Sequence, residues 1–280
     1  MNYFKILAFT FIAFAIASCD LEREVEIDLP DYEGRLFLEC YLEPGQPMNL
    51  LLTRTSPYFE AFPTNTIDYL NGILEEDATV SISYNGQVYA LENNLTFNPS
   101  IQKIFNYTSD EIVPFDFEND FDLLITTKDG KTITGKTKIT KPMTIDSVVT
   151  QFAQNDTLAR LLIYMTDDPT RDNYFRRVLH EGSLDSIPIW SFPIDDRASE
   201  GTIIFGSFFD YSEGDTIINT IYSIEEDYFE FLQSIDFASQ SNGNPFAQPS
   251  PIVSNIGGTA NAIGIFTGFT YDRRYTIIER

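Results

Sequence analysis

The sequence predicts an all-β protein, and three observations carry that reading. Runs in which apolar and polar residues alternate at a period of two recur from Leu36 to Ile278. Turn-forming dipeptides such as Asn85-Gly86 and Asp129-Gly130 fall between those runs. One segment alone, Glu225–Phe237, carries a clear helical pattern. Material for a core is ample: 43% of the 280 residues are hydrophobic and 14% aromatic, with 24 Phe and 15 Tyr, which excludes a disordered chain. The length exceeds that of an average single domain, so two domains are expected.

The N-terminus comes first. Met1 to Ser18 carry one charge, Lys5, followed by the apolar run Ile6 to Ala17, which is too short for a membrane span and has the form of a secretory signal over residues 1–18. The run ends Ile16-Ala17-Ser18-Cys19, which resembles a bacterial lipobox cut before Cys19. Ordinary secretory cleavage after Ser18 is the alternative, but it gives Cys19 no role. Diacylation of the Cys19 thiol, with a third chain on its amine, supplies the two or more lipid signals that stable anchoring needs, so the chain is expected to be anchored to a membrane without spanning it. Residues 19–29 form an acidic tether. Asp20, Glu22 and Glu24 resemble the export signal that sends lipoproteins of Bacteroidota to the outer face of the outer membrane. Alternation of these acids with Leu21, Val25, Ile27 and Leu29 also fits a solvated linker or an edge strand.

The body then reads as strands. Leu36–Leu42, Asn49–Thr55, Thr79–Tyr84, Gln87–Leu91, Phe121–Thr127 and Lys131–Ile139 are short, turn-bounded and antiparallel in pattern. Asn85-Gly86 and Asp129-Gly130 are each expected to form a type I′ hairpin turn. This arrangement predicts an immunoglobulin-like or transthyretin-like β-sandwich over residues 30–142. Lys141-Pro142 breaks the last strand, and a second β-rich domain is expected over 143–280. Its strands are Val148–Phe152, Leu158–Met165, Tyr174–His180, Thr202–Phe208, Ile217–Tyr222, Ile263–Phe269 and Arg274–Ile278. Its one helix has Ser223 as the expected N-cap, Glu226 as the capping-box partner, and an apolar stripe of Tyr228, Phe231, Leu232 and Ile235.

Charge and residue counts exclude several function classes. With 18 Lys and Arg against 42 Asp and Glu, the formal charge of −24 repels phosphate backbones, so nucleic acid is not an expected partner. One His and two Cys cannot assemble a zinc site of the usual kind, and lipidation of Cys19 leaves Cys40 without a partner for a disulfide. Cys40 shares a strand face with Leu36, Leu38 and Leu42 and reads as a small buried hydrophobe. His180 is the single candidate imidazole base, but no G-x-S-x-G elbow surrounds any Ser, so it reads as a residue satisfied at a strand end. Paired carboxylates could cleave glycans or bind calcium without His. Three clusters qualify: Asp116, Glu118, Asp120 and Asp122; Asp167 with Asp168; and Asp195 with Asp196. The first alternates with Phe115, Phe117 and Phe121 like an amphipathic strand with a solvated acidic face. The others lie beside prolines in expected loops, and none has EF-hand spacing. No catalytic residue, metal ligand or cofactor is therefore assigned.

Binding surface is expected on loops. Tyr58, Phe62 and neighbouring Phe59 and Tyr69 lie in the long connection Pro57–Gly72, and Phe246 lies in the Ser239–Pro251 segment. These rings either contact a partner or ligand, or fold back as a satellite core.

Several segments together carry a resemblance. They are Cys19 with its tether, Leu51-Leu52-Thr53-Arg54-Thr55, Ala78-Thr79-Val80-Ser81-Ile82, Thr144-Ile145-Asp146-Ser147-Val148, Asp168-Pro169 with Asn173-Tyr174-Phe175, and Asn244-Pro245-Phe246 leading to Ser254-Asn255-Ile256-Gly257-Gly258. In these the chain resembles a Bacteroidota outer-membrane lipoprotein family catalogued as a domain of unknown function and typically encoded beside a TonB-dependent receptor. It departs from that family's pattern at Thr259-Ala260-Asn261-Ala262. The resemblance implies a location and a partner: a surface-exposed outer-membrane lipoprotein that assists a TonB-dependent transporter in cargo binding or uptake, without catalysis. The competing class is a surface hydrolase using paired carboxylates on a glycan.

Overall fold

A computed structural model describes residues 34–56, 65–98, 103–154, 157–197, 201–241 and 250–280. It is all-β, with three sheets and two helices among the described residues. The strands are β1 (Leu36–Leu42), β2 (Pro47–Arg54), β3 (Thr79–Tyr84), β4 (Gln87–Asn98), β5 (Lys103–Ile112), β6 (Phe121–Thr126), β7 (Thr132–Thr137) and β8 (Ser147–Phe152). They continue as β9 (Ala159–Thr166), β10 (Tyr174–Glu181), β11 (Trp190–Asp195), β12 (Thr202–Gly206), β13 (Thr216–Ile224), β14 (Gly257–Gly258), β15 (Ile263–Gly268) and β16 (Thr270–Ile277). The helices are α1 (Thr66–Ile73) and α2 (Glu226–Ser241).

The strands of the N-terminal half are hydrogen-bonded to one another in a single order, with β14 and β15 at its ends. They form one nine-stranded sheet, ordered β14-β7-β6-β3-β4-β5-β2-β1-β15, that curls until its ends nearly meet. At the seam the Gly268 N–H donates to Thr137 Oγ1 at 3.1 Å, and the absent side chain of Gly135 makes room for the Phe266 ring. Inside, Leu38, Cys40, Leu50, Leu52, Ile82, Phe121, Ile125 and Phe266 form a single buried core. Near-closure covers most strand edges and buries one face of strands such as β1, β2, β3 and β6, which is why their apolar residues alternate so regularly in the sequence.

The division expected near residue 142 is crossed by the chain. β15 comes from the C-terminal half, yet it pairs in parallel with β1, Leu38 opposite Gly264. Gly34–Arg280 form one compact unit. Between these crossings lie two smaller sheets, β12-β9-β8 and β11-β10-β13-β16. Ile163, Met165 and Ile203 of the first pack against Phe175 and Ile221 of the second, so the two stack face to face. The helix α2 wedges between this pair and the barrel: its Tyr228, Phe229 and Phe231 bury against Ile265 and Phe269 on one side and Tyr174 and Ile224 on the other.

Local chemistry explains where the elements differ from the expected ones. Asn85 and Gly86 both take positive φ, 48° and 77°, as a type I′ turn requires. Asp129-Gly130 does not: Gly130 alone has positive φ, and its N–H donates back to the Thr127 carbonyl at 2.9 Å, a turn that places a glycine at its end. Ser223 is no helix cap. It lies in β13, where its hydroxyl accepts from the Met143 N–H, and the helix begins at Glu226. The Glu225 carboxylate just before it accepts from the Thr137 hydroxyl at 2.5 Å instead. The connection after β2 holds α1, whose N-cap Asn65 accepts from the Ile67 N–H at 2.9 Å.

Candidate functional site

Alternation along β10 sends its side chains to two faces. Phe175, Arg177 and Leu179 are fully buried between the two small sheets, whereas Arg176, Val178 and His180 look the other way, toward α2 and the barrel. A cavity of about 100 Å³ lies on that second face. Its walls come from five places in the chain: Tyr41 of β1, Lys103 of β5, Tyr222 of β13, Tyr228 of α2 and Phe269 after β15. The β10–β11 connection, with Leu184, Ser186 and Pro188, closes one side.

The aromatic walls hold one another in place. Tyr41 lies 5.7 Å from Tyr228 and 6.2 Å from Phe269, centroid to centroid, and Tyr222 meets Phe269 edge-on at 5.3 Å. Tilted and edge-to-face packing of this kind is favourable and fixes ring orientation, so the cavity is preformed.

Three cations stand around it. Lys103 is ion-paired with Glu39, donates to the Tyr41 hydroxyl at 3.2 Å and sits 4.9 Å over that ring. Arg273 donates from Nε to Thr220 Oγ1 at 2.9 Å and covers the Tyr271 ring. Arg176 donates from Nε to Ser191 Oγ and from Nη1 to the Tyr228 hydroxyl, both at 3.1 Å. It has no carboxylate partner, and its Nη2 has no hydrogen-bond partner, among the described residues. Burial works against the Arg176 charge, but the electron-rich hydroxyls of Tyr228, Tyr41 and Tyr222 outweigh it and hold the guanidinium above its ordinary value.

His180 completes the wall. It is 6% exposed, and its Nδ1 is buried with no hydrogen-bond partner among the described residues. Burial first, and the nearby Arg273 charge second, push its pKa down, so the imidazole is neutral at pH 7. No serine, cysteine or carboxylate is hydrogen-bonded to it among the described residues. Ser186, the one serine on the cavity wall, donates its hydroxyl proton to the Ser183 carbonyl at 2.6 Å. The cavity thus has mostly aromatic and aliphatic walls with the Arg176 guanidinium among them.

The carboxylate clusters are occupied elsewhere. Residues 113–120 are irregular and not the expected strand. The Asp116 carboxylate accepts from the Tyr84 hydroxyl and from the N–H groups of Glu118 and Asn119, bonds that hold its pKa far below the ordinary carboxylate range. Asp120 pairs with Lys136 and Lys138, and Glu118 with Lys141. Asp168 accepts from Thr170 and pairs with Arg171. Asp195 closes the edge strand β11, where an expected loop would have left it free, and pairs with Arg197. Asp196 is buried and accepts from both nitrogens of Asn173. Among the described residues, no group of three or more His, Cys, Asp or Glu is placed to hold a metal ion.

Cys40 lies in the barrel core, its thiol pushed far up by burial. Cys19, Asp20, Glu22, Glu24, Tyr58, Phe62 and Phe246 fall outside the described residues. Among those residues no helix is long and apolar enough to cross a membrane.

The motif residues after α2 are structural. Asn255 exchanges two hydrogen bonds with the Phe266 backbone and Ser254 two with Gly264, so two side chains serve β15 as a further strand would. Gly257 and Gly258 pair with Thr134 and Ile133, and a Cβ on Gly258 would collide with the Thr132 carbonyl. The divergent Thr259–Ala262 loop is pinned to the same strand, the Thr132 N–H donating to Thr259 Oγ1 at 2.9 Å and the Ala260 N–H to the Thr132 carbonyl at 3.0 Å.

The pocket itself was missed in the sequence, apart from His180. A signal existed: Arg176-Arg177 interrupts an apolar strand in a chain with few cations, and alternation requires one of the pair to face each side. A comparison with protein families matches residues 22–274 to one described as a domain of unknown function, DUF4249. No curated protein matches the chain.

Proposed function

Because the chain belongs to the domain-of-unknown-function family DUF4249, whose description names no reaction, we propose a function from its own site: a lipid-anchored accessory protein that binds small cargo at the outer membrane for a TonB-dependent transporter, without transforming it. The observation that carries this reading is the preformed aromatic cavity bearing Arg176, a cation with no carboxylate partner among the described residues. Binding sites of small molecules have this composition, with mostly apolar walls and a few fixed polar groups. The lipobox at Cys19 and the acids after it support the anchoring and the outer-membrane address.

The hydrolase reading draws less support. Glycoside cleavage needs two carboxyl groups facing a shared substrate across roughly 5–10 Å. Most acids of the three clusters are instead engaged in turns, ion pairs and a buried amide contact, and no carboxylate among the described residues lines the cavity.

The test is recovery of the full-length lipoprotein from detergent-solubilised outer membranes, followed by identification of whatever accompanies it. A TonB-dependent receptor in stoichiometric amount is the expected result. Recovery of the lipoprotein alone, after mild crosslinking, would overturn the accessory role.

A further inference from the structure

We propose that the cavity takes an aryl carboxylate, with the ring between the aromatic walls and the carboxylate on Arg176. This rests on the reading of the cavity as a cargo site and names the chemical class of the cargo.

The charge pattern comes first. Of the ten arginines among the described residues, five have no ion-paired acid, and Arg176 is the one of these five that lines the cavity. Arg54, Arg171, Arg197, Arg274 and Arg280 are each ion-paired with an acid. Arg176 is not, although it is half-buried where pairing matters more. Its Nε and Nη1 are held by Ser191 and Tyr228, which aims the planar fork and leaves Nη2 without an acceptor among the described residues. A planar fork with a free terminal nitrogen matches a carboxylate.

The other cations set the ligand's charge. Lys103 is neutralised by Glu39, and Arg273 is stacked on Tyr271 and shares its surroundings with Glu43. One unpaired cation remains on the wall, which favours a monoanion over a phosphate dianion. Shape then sets the body. About 100 Å³ between the rings of Tyr41, Tyr222, Tyr228 and Phe269 is of the same order as, and smaller than, the roughly 150 Å³ of a cavity that holds one benzene ring. The buried, unpartnered Nδ1 of His180 on the same wall is a second sign that the cavity is not closed packing, because an orphaned polar atom in a filled core is unfavourable.

The experiment is calorimetric titration of the full-length lipoprotein in detergent with phenylacetate, its neutral isostere phenylacetamide, and inorganic phosphate. Phenylacetate is expected to bind at least about tenfold more tightly than the amide, and phosphate not to compete. Arg176→Gln is expected to bring acid and amide to equal affinity, and Arg176→Lys to restore part of the preference. Equal binding of acid and amide by the unaltered protein, or displacement by phosphate, would overturn the assignment of an aryl carboxylate while leaving a cargo pocket. Absence of saturable phenylacetate binding up to about 5 mM would overturn it as well. Should Arg176→Gln melt early, the acid-to-amide ratio of the unaltered protein still decides the matter. Failure of the receptor to co-purify would remove the accessory role and leave the ratio untouched, so the two failures are distinguishable.

Discussion

The Arg176 guanidinium donates from Nη1 to the Tyr228 hydroxyl at 3.1 Å, so a strand of the four-stranded sheet and the helix wedged against the barrel meet at one polar contact on the cavity wall. That contact joins parts of the chain 52 residues apart. It also turns the guanidinium toward the cavity and away from the carboxylates of the surface.

Tyr228→Phe removes the acceptor and keeps the ring. A hydrogen bond to a charged group contributes about 1.5–3 kcal/mol, and the lower end applies here because the arginine is half-buried. The variant is therefore expected to fold, with a lower urea midpoint that corresponds to a loss of about 1.5 kcal/mol. An unchanged midpoint would mean that the bond does not hold the wall.

A second prediction concerns backbone space. Gly264 has φ 141°, and a Cβ there would overlap the carbonyl of Leu38, its partner across the β1–β15 pairing. Gly264→Ala is expected to lose more than about 4 kcal/mol or to fail to fold, since strain and a backbone collision combine. Gly72 lies in α1 with nothing within 4 Å of the site of a Cβ. Gly72→Ala is expected to raise stability by up to about 1 kcal/mol. Thermal melts of the two variants check both.

How far the sequence was legible follows from which faces are buried. Strands with one face in a core, such as Leu36–Leu42 and Thr79–Tyr84, were placed to the residue, because burial of one face enforces the period of two. The far half of β4 pairs with β5 as a ribbon with Leu95 and Phe97 exposed, so alternation had no burial to report. β11 carries Pro193 and is an edge strand, where proline is tolerated but reads as loop. Closure of the barrel was invisible, since it depends on pairing Leu38 with Gly264 across most of the chain. The cavity was hidden for the same reason: its walls come from five elements, and β5, which brings Lys103, was not foreseen.

A pH prediction follows from His180. Its pKa in the folded state lies below the ordinary 6.5, through burial and then Arg273. The unfolded chain therefore takes up the proton first, so the stability tied to the neutral imidazole is complete above about pH 6.5 and is lost as pH falls below that value. Half-buried Glu43 and Glu225, whose pKa values desolvation pushes up, act in the opposite sense: their contribution is complete in acid and declines as pH rises through the raised pKa. The comparison of wild type with His180→Gln isolates the histidine. Between pH 7.5 and pH 5.5 wild type is expected to lose more urea stability than the variant, and equal losses would contradict the burial of a neutral ring.

Anchoring gives a fourth prediction. Cys19→Ala is expected to stay uncut by signal peptidase II and to incorporate no labelled palmitate. Replacing Asp20, Glu22 and Glu24 together by Ala is expected to preserve lipidation and to remove susceptibility to external protease. Unchanged susceptibility would reduce the acids to a solvated spacer.

The central claim is that the cavity holds a small molecule and leaves it unchanged. Native mass spectrometry of the full-length protein purified from its native source tests this most directly, with and without Arg176→Gln. The expected result is a non-covalent adduct on the wild type that is missing from the variant and, on release and re-addition, is recovered at its original mass. An adduct converted to a product of different mass would contradict the claim by making the protein an enzyme. Equal adducts on both proteins would contradict it by moving the site away from Arg176, and none on either would contradict the holding of a small molecule itself.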